Sequence, residues 1–236
     1  MTLVIVAGIV VLCVFLYFGV PFLYGRYSKF HLKRQCAKSR SIVLTFDDGP
    51  GNRLTCEILK ILEIHSVKAT FFLLGKNIEG KSDIVRQIAK AGHEIGSHGY
   101  DHLNHWKVSP MKAIADIKKG WLALDKATGG TNSVYPFRPP YGKLNLATLI
   151  FLLIKSVPVC FWSVVSGDTW SENKRSSERA CRLIKKAGGG VVLMHDMDRK
   201  NESTDKMVLD TLRGVLAAAD ERQIRIKTLS QIAFSN

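Results

Sequence analysis

Short apolar runs alternate with longer stretches of three-and-four periodicity along most of this chain. Ile42–Phe46, Ala69–Leu74, Glu94–Ser97, Tyr135–Arg138, Pro158–Trp162, Val191–Met194 and Gln223–Lys227 read as strands, several rich in β-branched or aromatic residues. Between them the spacing predicts helices over Leu54–His65, Ser82–Ala91, Ser109–Thr128, Asn145–Ile154, Glu178–Ala187 and Thr204–Glu221. Such alternation sets the strands in parallel with helices outside, and about seven strands in roughly 190 residues suit a closed or nearly closed barrel. Polar residues at the carboxyl ends of the strands then gather on one rim.

Two segments depart from this pattern. Residues 1–25 carry no charged side chain, and the apolar stretch Leu3–Tyr24 exceeds the roughly 20 residues that cross a bilayer. Without a basic n-region or a small-x-small cleavage site, it reads as an uncleaved transmembrane helix rather than a signal peptide; a buried soluble helix is the alternative. Leu12 before Cys13 does not resemble a lipoprotein cleavage site. Residues 26–40 hold Arg26, Lys29, Lys33, Arg34, Lys38 and Arg40 with no acid, and read as a basic juxtamembrane linker. The positive-inside rule places this flank, and the single domain 41–236 behind it, on the cytoplasmic side, although the outer side stays open. The second departure is Leu144–Ile154, apolar almost all round and too short to span a membrane. Packing on the barrel is the preferred reading and membrane contact the other.

Candidate chemistry falls where strand-like runs give out. Thr45-Phe46-Asp47-Asp48-Gly49-Pro50, Ser97-His98-Gly99-Tyr100-Asp101-His102, Arg138-Pro139-Pro140-Tyr141 and Leu193-Met194-His195-Asp196 together hold two adjacent carboxylates, a histidine pair and a lone histidine. A catalytic divalent metal needs a few protein ligands, an open position, and a base and an acid nearby. Histidines four apart share one face of a helical turn and can grip one ion. Taken singly, each motif has a plainer reading. Asp47-Asp48 would be a turn into Gly49-Pro50, His98 and His102 surface histidines, Arg138 a solvated rim residue and His195 a core histidine bonded to a backbone carbonyl. His93 and His105 read as structural or surface residues.

The ordered set TFDDGP, SHGYDH, RPPYG and LMHD resembles the polysaccharide deacetylases of carbohydrate esterase family 4, over about Ser41 to the C-terminus. The resemblance implies a distorted (β/α) barrel that removes N-acetyl groups from amino sugars. It implies Asp47 as catalytic base and Asp48, His98 and His102 as ligands of zinc or another first-row divalent metal. It also implies that Arg138 holds Asp47, with bidentate geometry that lysine would not reproduce, and that the Tyr141 N–H faces the developing oxyanion. His195 becomes the general acid, and Leu193 lines the pocket for the acetyl methyl. Apart from the resemblance, Asp196 is an acidic neighbour expected to tune or orient His195. A further family motif sets Asp directly before Trp, whereas this chain reads Val165-Ser166-Gly167-Asp168-Thr169-Trp170. Asp168 is expected to assist His195 or Arg138, with Trp170 displaced by one residue along the pocket wall.

A net charge of +14 favours anionic headgroups or phosphates. Nucleic acid is not expected, because no recognised binding motif accompanies the charge. Five cysteines form no disulfide framework or CxxC site, which fits a reducing compartment. The expected function is therefore a membrane-anchored, metal-dependent N-deacetylase of an amino sugar. A lipid-linked saccharide is preferred as substrate over a cell-wall polysaccharide, on the strength of the charged flank. A non-catalytic glycan-binding module is the reading from another class, and has no need of Asp47, Asp48, His98, His102 and His195 together.

Overall fold

The computed structural model describes residues 1–130, 134–168, 176–199 and 202–233. Its strands are β1 (Ser41–Asp47), β2 (Thr70–Leu73), β3 (Glu94–Ser97), β4 (Val164–Val165), β5 (Gly190–His195) and β6 (Arg225–Lys227). The sheet runs β3-β2-β1-β5-β4, all parallel, with β6 also paired to β1. Helices of two turns or more are α1 (Thr2–Lys38), α2 (Leu54–Ile64), α3 (Ser82–Lys90), α4 (Pro110–Thr128), α5 (Leu146–Ile154), α6 (Ser176–Ala187) and α7 (Glu202–Glu221). The result is a parallel α/β fold of the distorted barrel type, led by one long apolar helix.

β1 is buried along its whole length because both of its faces are covered. Ile42, Leu44 and Phe46 join Val192, Met194, Leu54, Ile58 and Leu212 in the main core. Residues of the opposite parity, Val43 and Val191, face a second cluster with Phe72, Cys160, Leu229 and Ile232. The two-residue period of a strand therefore turns Thr45, Asp47, Leu193 and His195 toward the inner side. Parallel register sets Asp47 beside His195, and Thr45 beside Leu193.

Three expectations change here. Tyr135–Arg138 and Pro158–Trp162 do not form full strands; they contribute single bridges, Ser97 to Phe137 and Phe137 to Val159. Pro136, Pro139 and Pro158 lack the N–H that a continued ladder requires. The chain instead pairs further on, as β4 beside β5. Residues 26–38, expected as a linker, continue α1 to Lys38 and bury Leu32 and Cys36 in the second core cluster. Their apolar spacing is sparse, so the cations dominated the reading. α1 carries one π-helical turn at Phe15–Gly19.

Candidate metal and catalytic site

The site is assembled at the carboxyl ends of β1, β3 and β5 and at the segments following Phe137 and Val165. Asp47 ends β1 and is buried, while Asp48 leaves the strand at φ 69 and so turns its carboxylate away from its neighbour's. Left-handed backbone in a non-glycine residue is held in place only by its surroundings. Here Asn77 donates to the Asp48 carbonyl at 2.7 Å. Gly49 is required by close approach, since a Cβ there would lie 2.3 Å from the Asp196 carboxylate.

His98 and His102 do not share a helical turn. The loop after β3 is irregular, with Gly99 at φ 82 and His102 at φ 59. It is pinned by Asp116 of α4, which accepts from Tyr100 N at 3.0 Å and Asp101 N at 2.8 Å. The rings nevertheless converge, with centroids 5.1 Å apart. His98 Nδ1 lies 2.7 Å from the Arg138 carbonyl. A carbonyl only accepts, so Nδ1 carries the proton and Nε2 presents a lone pair. That Nε2 is 3.5 Å from Asp48 Oδ1, and His102 Nε2 is 3.4 Å from the same oxygen. Burial drives the His98 pKa down to about 3 and lowers that of His102, so both rings stay neutral at ordinary pH despite the adjacent Asp48. Asp48 Oδ1 itself is buried with no hydrogen-bond donor. Two imidazole lone pairs and an orphaned carboxylate oxygen, all within 4.8 Å of one another, fit a cation at their centre. This is a candidate metal site.

Asp47 faces different partners. Arg138, fully buried, donates through one nitrogen to Asp47 Oδ1 at 2.7 Å and to Thr45 Oγ1 at 2.8 Å. Its other terminal nitrogen donates to the Phe161 carbonyl at 3.1 Å. The contact with Asp47 is thus single rather than bidentate, because the fork is divided between a carboxylate and the backbone. The guanidinium carbon lies 4.1 Å from the Phe72 ring centroid, a cation–π contact added to its hydrogen bonds. Burial raises the Asp47 pKa, and Arg138 opposes this.

His195 ends β5 and meets Asp168. The carboxylate accepts from His195 N at 2.8 Å, and its oxygens lie 3.1 and 3.2 Å from Nδ1. Asp168 does not contact Arg138; it is held by Ser166 Oγ at 2.7 Å, and Arg199 donates to its carbonyl at 2.5 Å. Burial would raise Asp168, but the bond and charge of His195 outweigh it and the pKa falls. Burial likewise pulls His195 down, yet Asp168, with Asp47 and Asp48 behind it, leaves its pKa raised. Asp196 does not orient His195. It accepts from Thr55 Oγ1 at 2.7 Å and ties the β5 end to α2, its own pKa pushed up to about 7 by burial.

Among the remaining candidates, Leu193 is buried on the inner face, and the exposed Tyr141 sits at φ 57 with its ring edge-on to His102. Trp170 lies outside the described residues. His93 and His105 stay apart from the cluster. His93 Nδ1 accepts from Ala69 N at 3.2 Å, and His105 is stacked on Phe137; burial lowers both to about 4. Sequence reasoning missed Thr45, Asn77, Asp116, Ser166 and Arg199. The parity of Thr45 with Asp47 was a usable signal; the others carry none.

These elements define a (β/α) barrel with a candidate metal centre at the carboxyl ends of its strands. The chain belongs to the polysaccharide deacetylase family, whose model matches residues 34–153. It is 32% identical over 175 residues to the peptidoglycan-N-acetylglucosamine deacetylase PgdA of Listeria monocytogenes, covering 74% of this chain and 36% of that protein. A peptidoglycan-N-acetylglucosamine deacetylase of Bacillus cereus is 42% identical over 139 residues, 56% of this chain and 50% of its own length. The chain therefore spans half or less of these relatives. Among solved structures, the Bc1960 peptidoglycan N-acetylglucosamine deacetylase superposes with a TM-score of 0.72 at 30% identity, covering 83% of this chain and 89% of that one.

Proposed function

We propose that this protein is a metal-dependent N-deacetylase acting on an amino sugar of a glycan. The observation that carries the reading is the division of two adjacent carboxylates. Asp48 Oδ1 faces two neutral imidazoles without a donor, while Asp47 is bonded to a buried arginine. A non-catalytic binding module has no use for that division.

Asp48, His98 and His102 would hold the ion, zinc by the donor set although other first-row divalent metals suit it too; when bound, the ion polarises a carbonyl and acidifies water. Asp47 takes the proton from the attacking water. Burial strengthens it as a base, and Arg138 favours its ionised form and holds it in place. The Tyr141 N–H supports the charge that develops on the amide oxygen. Asp168 keeps the proton of His195 Nδ1 in a bond and steadies the imidazolium, so Nε2 delivers a proton to the departing nitrogen. The amide C–N bond breaks, the amine leaves protonated and the acyl group leaves as carboxylate, with Leu193 against its methyl.

The relatives are peptidoglycan deacetylases by name, which favours a wall polymer. They lend no support to the lipid-linked substrate that the charged flank suggested. α1, with mean hydropathy 3.0 in its apolar part, supports a membrane anchor. The positive flank favours a cytoplasmic domain and a wall polymer an external one. Labelling an Ile64→Cys variant of intact cells with an impermeant thiol reagent decides between them. For the activity, the full chain is incubated with N-acetylglucosamine oligomers and with peptidoglycan, with and without chelator. The reading expects chelator-sensitive loss of acetyl mass; intact acetyl groups on both substrates with metal supplied would overturn it.

A further inference from the structure

α1 projects freely only in part. Residues up to Leu16 are exposed, Tyr17–Val20 are half-buried and Pro21 is buried. The uncharged apolar run does not stop where exposure stops: it continues past Leu16 to Tyr24, and the first cation is Arg26. If α1 crosses a membrane, the residues from Tyr17 to Tyr24, uncharged like those before them, lie at hydrocarbon depth too, and what they pack against goes with them.

They pack against α5 and the loop after His102. The π-helical turn Phe15–Gly19 contacts α5, and the Phe18 ring meets Trp106 with centroids 5.5 Å apart. α5 buries Leu149 and Leu152 in the domain but leaves Ile150, Leu153 and Ile154 exposed at 46%, 52% and 76%. No charge interrupts Leu144–Ile154, while Lys143 and Lys155 bracket it, as cations do beside an apolar surface at an interface. Further along α1, Arg26, Lys29 and Lys33 line a cleft with Trp162, the Lys29 ammonium 4.2 Å from the indole centroid. None of the three has an acidic partner among the described residues. They follow the apolar segment at the height where lipid phosphates lie.

We propose that the domain is seated in the leaflet, with the outer face of α5 in the acyl boundary and Arg26, Lys29 and Lys33 among the headgroup phosphates. The occupant is the lipid surface because the face is continuous with the apolar helix and cations without acidic partners follow that apolar run. Trp106 is four residues from His102, so the seat brings the cleft mouth close to the membrane and restricts it to glycan at the membrane surface. The proposal rests on the anchor reading, not on the chemistry.

Full-length protein in phospholipid nanodiscs tests it, with Ile154, Ile9 and Ile64 replaced in turn by the photo-crosslinking p-benzoylphenylalanine. Ile9 lies within the exposed apolar part of α1, and Ile64 is an exposed apolar residue at the end of α2. After irradiation, mass spectrometry is expected to find lipid adducts at positions 9 and 154 and none at 64. Adducts at 9 with none at 154 would overturn the seat and leave the anchor standing. No adduct at 9 would remove the anchor and the seat together, and equal adducts at 154 and 64 would show nonspecific lipid contact and also overturn it.

Discussion

The two ends of the cleft put histidine to opposite uses. Around Asp48, burial holds His98 and His102 neutral, and the carbonyl on His98 Nδ1 leaves Nε2 presenting a lone pair to the candidate metal site. Around Asp168, burial again disfavours the charged ring, yet the carboxylate at Nδ1 outweighs it and raises the His195 pKa. What the second nitrogen meets therefore fixes the task of the first. The same holds for the adjacent carboxylates, one bonded to a guanidinium and the other facing lone pairs.

Breaking the ligand end should have the largest effect. His98→Ala or His102→Ala is expected to strip most of the metal and to lower turnover by about 10³-fold or more, the scale of lost Lewis-acid stabilisation. Elemental analysis after dialysis, beside the rate, checks both. At the other end, His195→Ala should keep full metal while turnover falls by about 10²-fold to 10⁴-fold, the range of a general acid. Metal loss there would merge the two ends into one.

Asp168→Asn sharpens the comparison through pH. In the proposed mechanism His195 acts in its protonated form, so activity should be lost as pH rises through its pKa. Asp168 raises that pKa, and removing its charge must move the alkaline limb to lower pH, with metal content unchanged. An unmoved limb in a rate profile would deny the pair its role. The smallest effect is expected from Asn77→Ala, which frees the Asp48 carbonyl but leaves all three ligands in place. Metal affinity should fall about tenfold, as for an outer partner, readable by competition with a chelating dye.

Much of this was legible in the chain because period and motif agree. The four motifs fell at the ends of strand-like runs, which gathered Asp47 and His195 on one rim, and register sets the two side by side; the parity along Val43, Thr45 and Asp47 and along Val191, Leu193 and His195 was a further signal that went unused. The strands around Phe137 and Val159 were over-read, since their apolar residues signal burial while the flanking prolines prevent a ladder. The helical continuation through 26–38 was under-read, because only Leu32 and Cys36 mark its buried side amid the cations. Partners such as Asn77, Asp116 and Arg199 are chosen by the folded backbone, and no local pattern announces them.

The central claim is that Asp48 binds metal and Asp47 moves a proton. Metal stoichiometry of Asp47→Asn and Asp48→Asn, purified side by side and measured by elemental mass spectrometry, tests it most directly. Full occupancy with lost turnover in Asp47→Asn, and lost occupancy in Asp48→Asn, is the expected result. Metal lost from Asp47→Asn and retained by Asp48→Asn would contradict it.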